Sequence, residues 1–290
     1  LTMMCSSSVS IRIQRPFPWK KNLLLLLLVA FAIVQVYPFF WLILFSFKSN
    51  SEIFGGNIAG FPQEWLWMNY KDAFFGGKVG LYLFNSVVVT AITIFITLIT
   101  ACMAAYAISR MRWKYSRHVM VLFLLGMMIP LHATLLPLFL IFSKINMLNT
   151  YWCLILPYVG FGLPIAIFIL SGFMKNIPLA MEESAFIDGA SVYRTFFMII
   201  MPIVKPAMAT VAIFTFLGSW NELMFAITFI SKQEMRTLTV GLQSMVGQYA
   251  TQWGPIGAGL VIGTIPTIII YSIISKQVQN SLTTAGAVKG

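Results

Sequence analysis

The chain has 290 residues, 59% of them apolar and 9% charged, where a soluble domain carries about 25% charged residues. Its mean hydropathy is +0.86. These values exclude a soluble globular protein, a disordered chain and a secreted disulfide scaffold, and they make a polytopic membrane protein the expectation. Three cysteines, Cys5, Cys102 and Cys153, are too few for a disulfide framework, and the latter two sit in apolar runs where packing suffices. The net charge of +11 would suggest nucleic acid in a soluble chain. Here the basic residues flank apolar segments, so they read as topology signals and contacts with anionic lipid, with no nucleic-acid partner.

A spanning helix needs about 20 apolar residues at about 1.5 Å each. Six stretches qualify: 22–47, 81–109, 119–142, 152–172, 207–230 and 254–275. The first follows Lys20 and Lys21 and opens on six leucines. It is too long for a signal-peptide core and lacks a small-residue cleavage site after it, so it is expected to be a retained helix. With residues 1–21 inside, 13 of the 19 Lys and Arg residues fall on inside segments. The span 110–118, with Arg110, Arg112, Lys114 and Arg117, is the clearest of these. The positive-inside rule therefore predicts N-in and C-in, with 22–275 as a six-helix domain and 276–290 as a cytoplasmic tail. The predicted fold class is an all-α membrane protein of six transmembrane helices with a two-helix cytoplasmic loop. In the outside loop 48–80, Trp65, Trp67 and Tyr70 read as an interfacial belt.

In the second stretch, Thr90, Thr93, Thr97 and Thr100 recur at helical spacing and make one polar stripe. They line a pathway or pack against another helix, and small-residue packing is the plainer reading. Prolines and glycines interrupt the later stretches: Pro130 and Pro137, then Pro157, Gly160, Gly162 and Pro164, then Gly257, Gly259, Gly263 and Pro266. Each interior proline frees a carbonyl and bends its helix. His132 follows Pro130 by two residues and is a candidate for a ligand contact, though a packed histidine explains it too.

The inside loop 173–206 is built of helix signals, unlike a tether. Asn176 is a candidate cap, with Pro178 in the first turn of a helix over Leu179 to Ile187. Glu182 and Glu183 fall early, where they complement the helix dipole. Asp188-Gly189 ends that helix through a left-handed glycine. Ser191 caps a second helix, Val192 to Met201, which Pro202 is expected to stop before Pro206 opens the next span. Phe196, Phe197, Ile199 and Ile200 are too apolar for solvent. The pair is a docking element, or a hairpin lying on lipid.

Catalytic signatures do not appear. There is no Cys/His cluster, no Gly-x-Ser-x-Gly and no P-loop, since the lone Gly-Lys, Gly77-Lys78, runs into Val79. Glu222 is the one carboxylate inside a spanning stretch, which is thin for an ion-driven carrier. With Trp220 and Asn221 it forms the best pathway candidate: an acceptor, an amide and a ring that suit a polar solute. The outside loop near 231–253 carries Gln243, Gln248 and Tyr249, which are apt for the same chemistry.

The stretch Glu183-Ser184-Ala185-Phe186-Ile187-Asp188-Gly189-Ala190, followed by Ile199-Ile200-Met201-Pro202, resembles the EAA loop of ABC importer permeases. Ser184 and Met201 are mild departures from that signature. Tyr37-Pro38-Phe39-Phe40, Ser46-Phe47-Lys48, Asn85-Ser86, Met147-Leu148-Asn149-Thr150-Tyr151, Trp220-Asn221-Glu222 and Ala285-Gly286-Ala287 are similar to the maltose-type sugar permeases in particular. The resemblance implies a non-enzymatic permease in a bacterial or archaeal inner membrane. Its partners would be a second permease, expected to be a different chain, two cytoplasmic ATPase subunits that hold ATP and Mg, an external solute-binding protein and a sugar. Coupling to the ATPase would fall to Glu182, Glu183, Ala185, Asp188, Gly189, Ile199 and Pro202. The pathway would fall to Trp220, Asn221, Glu222, Asn85, Thr97 and His132. The loop with Gln243, Gln248 and Tyr249 would meet the binding protein. The competing reading is a secondary carrier or channel for a small polar solute.

Overall fold

The computed structural model describes residues 18–111, 113–247 and 251–287. Arg12, Arg15, Arg112, Gln248, Tyr249 and Lys289 lie outside them. The described residues are helical with no strand among them. The principal helices are α1 (Pro18–Ser46), α2 (Val79–Ser109), α3 (Ser116–Gly126), α4 (Leu135–Lys144), α5 (Trp152–Met174), α6 (Ala180–Ile187), α7 (Lys205–Trp220), α8 (Met224–Phe229), α9 (Leu238–Ser244) and α10 (Trp253–Ala287).

Four helical segments are each long and apolar enough to cross a bilayer: Lys21–Ser46, Val79–Ser109, Trp152–Met174 and Trp253–Ile273. Two bent pairs qualify when each is taken together: α3 with the helical run from Leu131 through α4, bent by 89°, and Val192–Ile203 with α7, bent by 74°. The third predicted stretch is thus a sharply bent pair of helices and not one continuous helix. Pro130 lies at its break, where it has no N–H to give a continuing helix. Pro137 falls in the first turn of α4, where a missing N–H costs nothing. The other prolines correct the sequence expectation. Helices α5 and α10 run unbroken through Pro157, Pro164 and Pro266. Helix α10 also continues to Ala287, through most of the predicted tail. The fifth stretch, by contrast, breaks at 221–223 with no proline present.

The centre is the packing of α2 on α5, with α7 against both. One apolar core joins their inner halves, Ala101, Cys102, Ala105, Ile167, Leu170 and Met174, to Phe196 and Ile200. A second joins Val89, Leu154 and Ile155 to Phe225 and Phe229 of α8. A third gathers Val79, Tyr82, Phe216, Trp220, Leu238 and Ala258. Helix α9 lies close on α2, because a Cβ on Gly241 would come within 2.0 Å of the Tyr82 ring. Thr90, Thr93 and Thr97 are buried, while Thr100 is exposed.

Helix α1 packs on α10 at its far end and is bare along the rest. Leu23 through Leu28, Phe31 and Val34 are all more than half exposed, and only the far end of α1 is anchored. There Lys48 is fully buried and its ammonium donates to the carbonyls of Asn57 (2.5 Å) and Ile58 (3.1 Å). Asn69 donates to the carbonyls of Ser46 and Lys48, which closes the loop over the end of the helix. The predicted aromatic belt is a cluster: Trp65, Trp67 and Tyr70 pack around Phe47.

Candidate functional site: a two-faced loop helix, a broken helix and the opposite end

Two ends of the molecule gather different sequence. One collects 110–111, 113–116 and 175–205, and the other collects 48–78, 145–151, 231–247 and 251–253. At the first end, α6 presents two faces. Glu182 and Ala185, one turn apart, are buried against the helix bundle. Glu183, Phe186, Asp188 and Gly189 are exposed, and Ile187 is 87% exposed. Gly189 has φ +77°, the left-handed conformation that its turn requires.

Glu182 therefore points inward, away from the surface a partner would meet. Arg110, at the end of α2, donates from Nε to Glu182 Oε1 at 2.5 Å, and both side chains are about 95% buried. Arg110 Nη1 also donates to the carbonyls of Met174 (3.2 Å) and Ile177 (2.8 Å). The Tyr106 hydroxyl approaches Glu182 Oε2 at 3.4 Å. Among the described residues this is the sole ion pair. In the sequence Arg110 is only an inside charge, because nothing local pairs it with a glutamate 72 residues away.

The second loop helix is reshaped from its prediction. Ser191 accepts from the Arg194 N–H, as its capping role requires. Asn176 does not cap α6. Its amide donates back to the Gly172 carbonyl, so it closes the end of α5. Pro202 does not stop the helix either, because the π-helical turn Phe196–Ile200 leads into Met201–Ile203 and puts Pro202 in a first turn that tolerates it. The break falls at Val204, ahead of Pro206. Ile199 is half-buried and Pro202 exposed, while Thr195 and Ile200 are buried.

Near the outer end of α7, Trp220-Asn221-Glu222 splits three ways. Trp220 is buried and its ring stacks on Phe216 at 5.3 Å, so it is not open to stack on a ligand. Asn221 is exposed and donates to the Leu217 carbonyl. Glu222 is half-buried and caps α8: its carboxylate accepts from the N–H groups of Phe225 (2.8 Å) and Ala226 (3.1 Å) and from the Tyr158 hydroxyl (2.7 Å). Three donors on one carboxylate are charge-assisted bonds, which permit an acid at this depth. Glu222 and Tyr158 stand at one side of a half-open pocket of about 250 Å³, with Thr215 and Ser219 as its other polar groups and Leu131, Phe161 and Ile165 as apolar wall. His132 lies nearby, exposed at the α3–α4 break, with its ring 6.4 Å from Phe225. Thr97 is buried where α2 meets Gly162 of α5.

At the outer end Asn85 is a tie. It is 1% exposed. Its amide donates to the carbonyls of Glu234 and Arg236, and its oxygen accepts from Tyr151. Ser86 accepts from the Leu238 N–H. Asn149, at φ +59°, accepts from the N–H groups of Ser231 and Lys232. Gln243 is exposed on α9.

This is the architecture of a helical membrane component with a structured loop at one end and a polar break in its bundle. Residues 97–284 match the model of the binding-protein-dependent transport system inner membrane component family, and the chain belongs to that family. It is 36% identical to a probable ABC transporter permease protein, YurM, of Bacillus subtilis, over 91% of this chain and 87% of the relative. It is 33% identical to the trehalose/maltose transport system permease protein MalG of Thermococcus litoralis, over 93% of this chain and 98% of the relative. A solved chain of a bacterial ABC transporter that imports the acidic polysaccharide alginate shares the fold, with a TM-score of 0.80 at 22% identity over 90% of this chain and 99% of that one.

Proposed function

We propose that this chain is the permease subunit of an ATP-driven importer that receives a sugar or oligosaccharide from an external binding protein and passes it inward. The observation that carries the proposal is the two-faced α6. Its inner face is locked to the bundle by Glu182 and Ala185, while Met181, Phe186 and Ile187 face outward at 43%, 43% and 87% exposure. An apolar surface beside a charged loop calls for a protein partner, and a cytoplasmic ATPase subunit carrying ATP and Mg fits it. Relatives named for trehalose, maltose and other sugars support the substrate class. The pocket beside Glu222 is mainly apolar, and its Phe161 and Tyr158 rings suit the apolar faces of a sugar.

The bare flank of α1 and the exposed Met128 at the α3–α4 break are surfaces for a second permease and for lipid. Six crossings with both termini inside suit the charge distribution, and the membrane is the inner membrane of a bacterium or archaeon. The test is coexpression with a cognate ATPase, binding protein and second permease, followed by reconstitution in liposomes. Uptake is expected to need both ATP and the binding protein. Uptake that needs neither would overturn the importer reading in favour of a secondary carrier.

A further inference from the structure

We propose that Arg110 is a positioning residue that makes α6, the inner end of α2 and the end of α5 into one rigid lever. The inference rests on the reading of α6 as the ATPase-docking helix and adds the part that carries its motion into the membrane. The geometry is specific. One guanidinium holds three segments: Nε on Glu182 of α6, and Nη1 on the carbonyls of Met174, the last residue of α5, and of Ile177 beyond it. Tyr106, one turn before Arg110 on the same face of α2, reaches the other carboxylate oxygen of Glu182. The Tyr106 ring also packs on Phe196 at 5.1 Å, which brings the second loop helix into the same unit.

Rigidity follows from burial. A solvent-exposed ion pair is loose and contributes little. A buried pair cannot part without leaving uncompensated charge away from water. Lysine could not replace the arginine, because the planar fork serves carboxylate and carbonyls together. A push on the exposed face of α6 is therefore expected to move α2 and α5 without being absorbed at the joint.

The test uses the complete assembly, with nitroxide labels at Ala180→Cys on α6 and Met103→Cys on α2, both exposed positions, in a Cys5→Ser background. Pulsed electron paramagnetic resonance then reads the distance between them, nucleotide-free and trapped with ATP and vanadate. With Arg110 intact, the distance is expected to stay within about 2 Å between the two states, as for one rigid body. In Arg110→Gln, and to a smaller degree in Arg110→Lys, it is expected to broaden and to shift with nucleotide. Glu182→Gln is expected to broaden the distribution as Arg110→Gln does, and the double variant no further, which two independent losses of general stability would not. A nucleotide-dependent shift with Arg110 intact would overturn the lever, as would unchanged distributions in Arg110→Lys with the ATPase still bound. Failure of the ATPase to copurify with the unaltered chain would instead refute the docking reading.

Discussion

Replacing Glu222 tests the broken helix at the centre of the site. Its carboxylate accepts from Phe225 N, Ala226 N and the Tyr158 hydroxyl. Loss of an N-cap costs about 0.5–2 kcal/mol. The bond to Tyr158 crosses between helices, and such bonds in membrane proteins average about 0.6 kcal/mol and reach about 1.7, because the unfolded helices find other partners in the bilayer. The cap is the larger contribution. Glu222→Ala is therefore expected to destabilise the protein by about 2–3 kcal/mol. Glu222→Asn, which can still cap but not reach Tyr158, is expected to lose about 1 kcal/mol. Unfolding by sodium dodecyl sulfate in mixed micelles measures each value, and a double-mutant cycle with Tyr158→Phe isolates the interhelical bond at about 0.6–1.7 kcal/mol. If Glu222→Ala lies within about 0.5 kcal/mol of the unaltered protein, the capping argument fails. If stability falls as expected while uptake per folded molecule is unchanged, Glu222 ties helices and does nothing for the solute.

Further outcomes follow from the same contacts. Asn85→Leu strands two carbonyls and a tyrosine hydroxyl and is expected to cost about 2–3 kcal/mol, read in the same micelle assay, with faster proteolysis in the loop 231–237. Trp220→Ala empties a packed site in the third core and is expected to cost about 3–5 kcal/mol, whereas Trp220→Phe keeps most of the packing and preserves uptake. Gly189→Val places a branched side chain at φ +77° and is expected to lower ATPase copurification severalfold, the backbone strain being about 1–2 kcal/mol. Gln243→Ala is expected to reduce stimulation of ATP hydrolysis by the binding protein, while hydrolysis without that protein stays unchanged.

Much of the layout is legible in the sequence because the bilayer imposes it. Apolar length locates α1, α2, α5 and α10 to within a few residues at most of their ends. Gly189 and Ser191 identify themselves, since a left-handed turn and a helix cap each need a particular residue type. The Glu–Gly–Pro spacing of the loop carries the family resemblance, and the family match agrees with it. Proline is a poorer guide. It lies at the break of the third stretch, at Pro130, yet α5 and α10 continue as helix through Pro157, Pro164 and Pro266. The break that matters most for the site, at 221–223, carries no proline, and its signal is Glu222 itself, a capping carboxylate inside an apolar run.

The amino-acid sequence by itself determines what has to leave water and where the chain can turn: these are local properties, set by side-chain transfer free energy and backbone sterics. Which polar groups meet is decided by the tertiary structure. Arg110 and Glu182 are 72 residues apart, Asn85 and Glu234 are 149 apart, and Tyr158 and Glu222 are 64 apart. Each reads singly as a loop charge, a motif letter or a lone membrane acid. Only the packing of α2 on α5, with α7 against both, brings them within bonding distance. Burial away from water makes a partner favourable for each pair, and the fold supplies it.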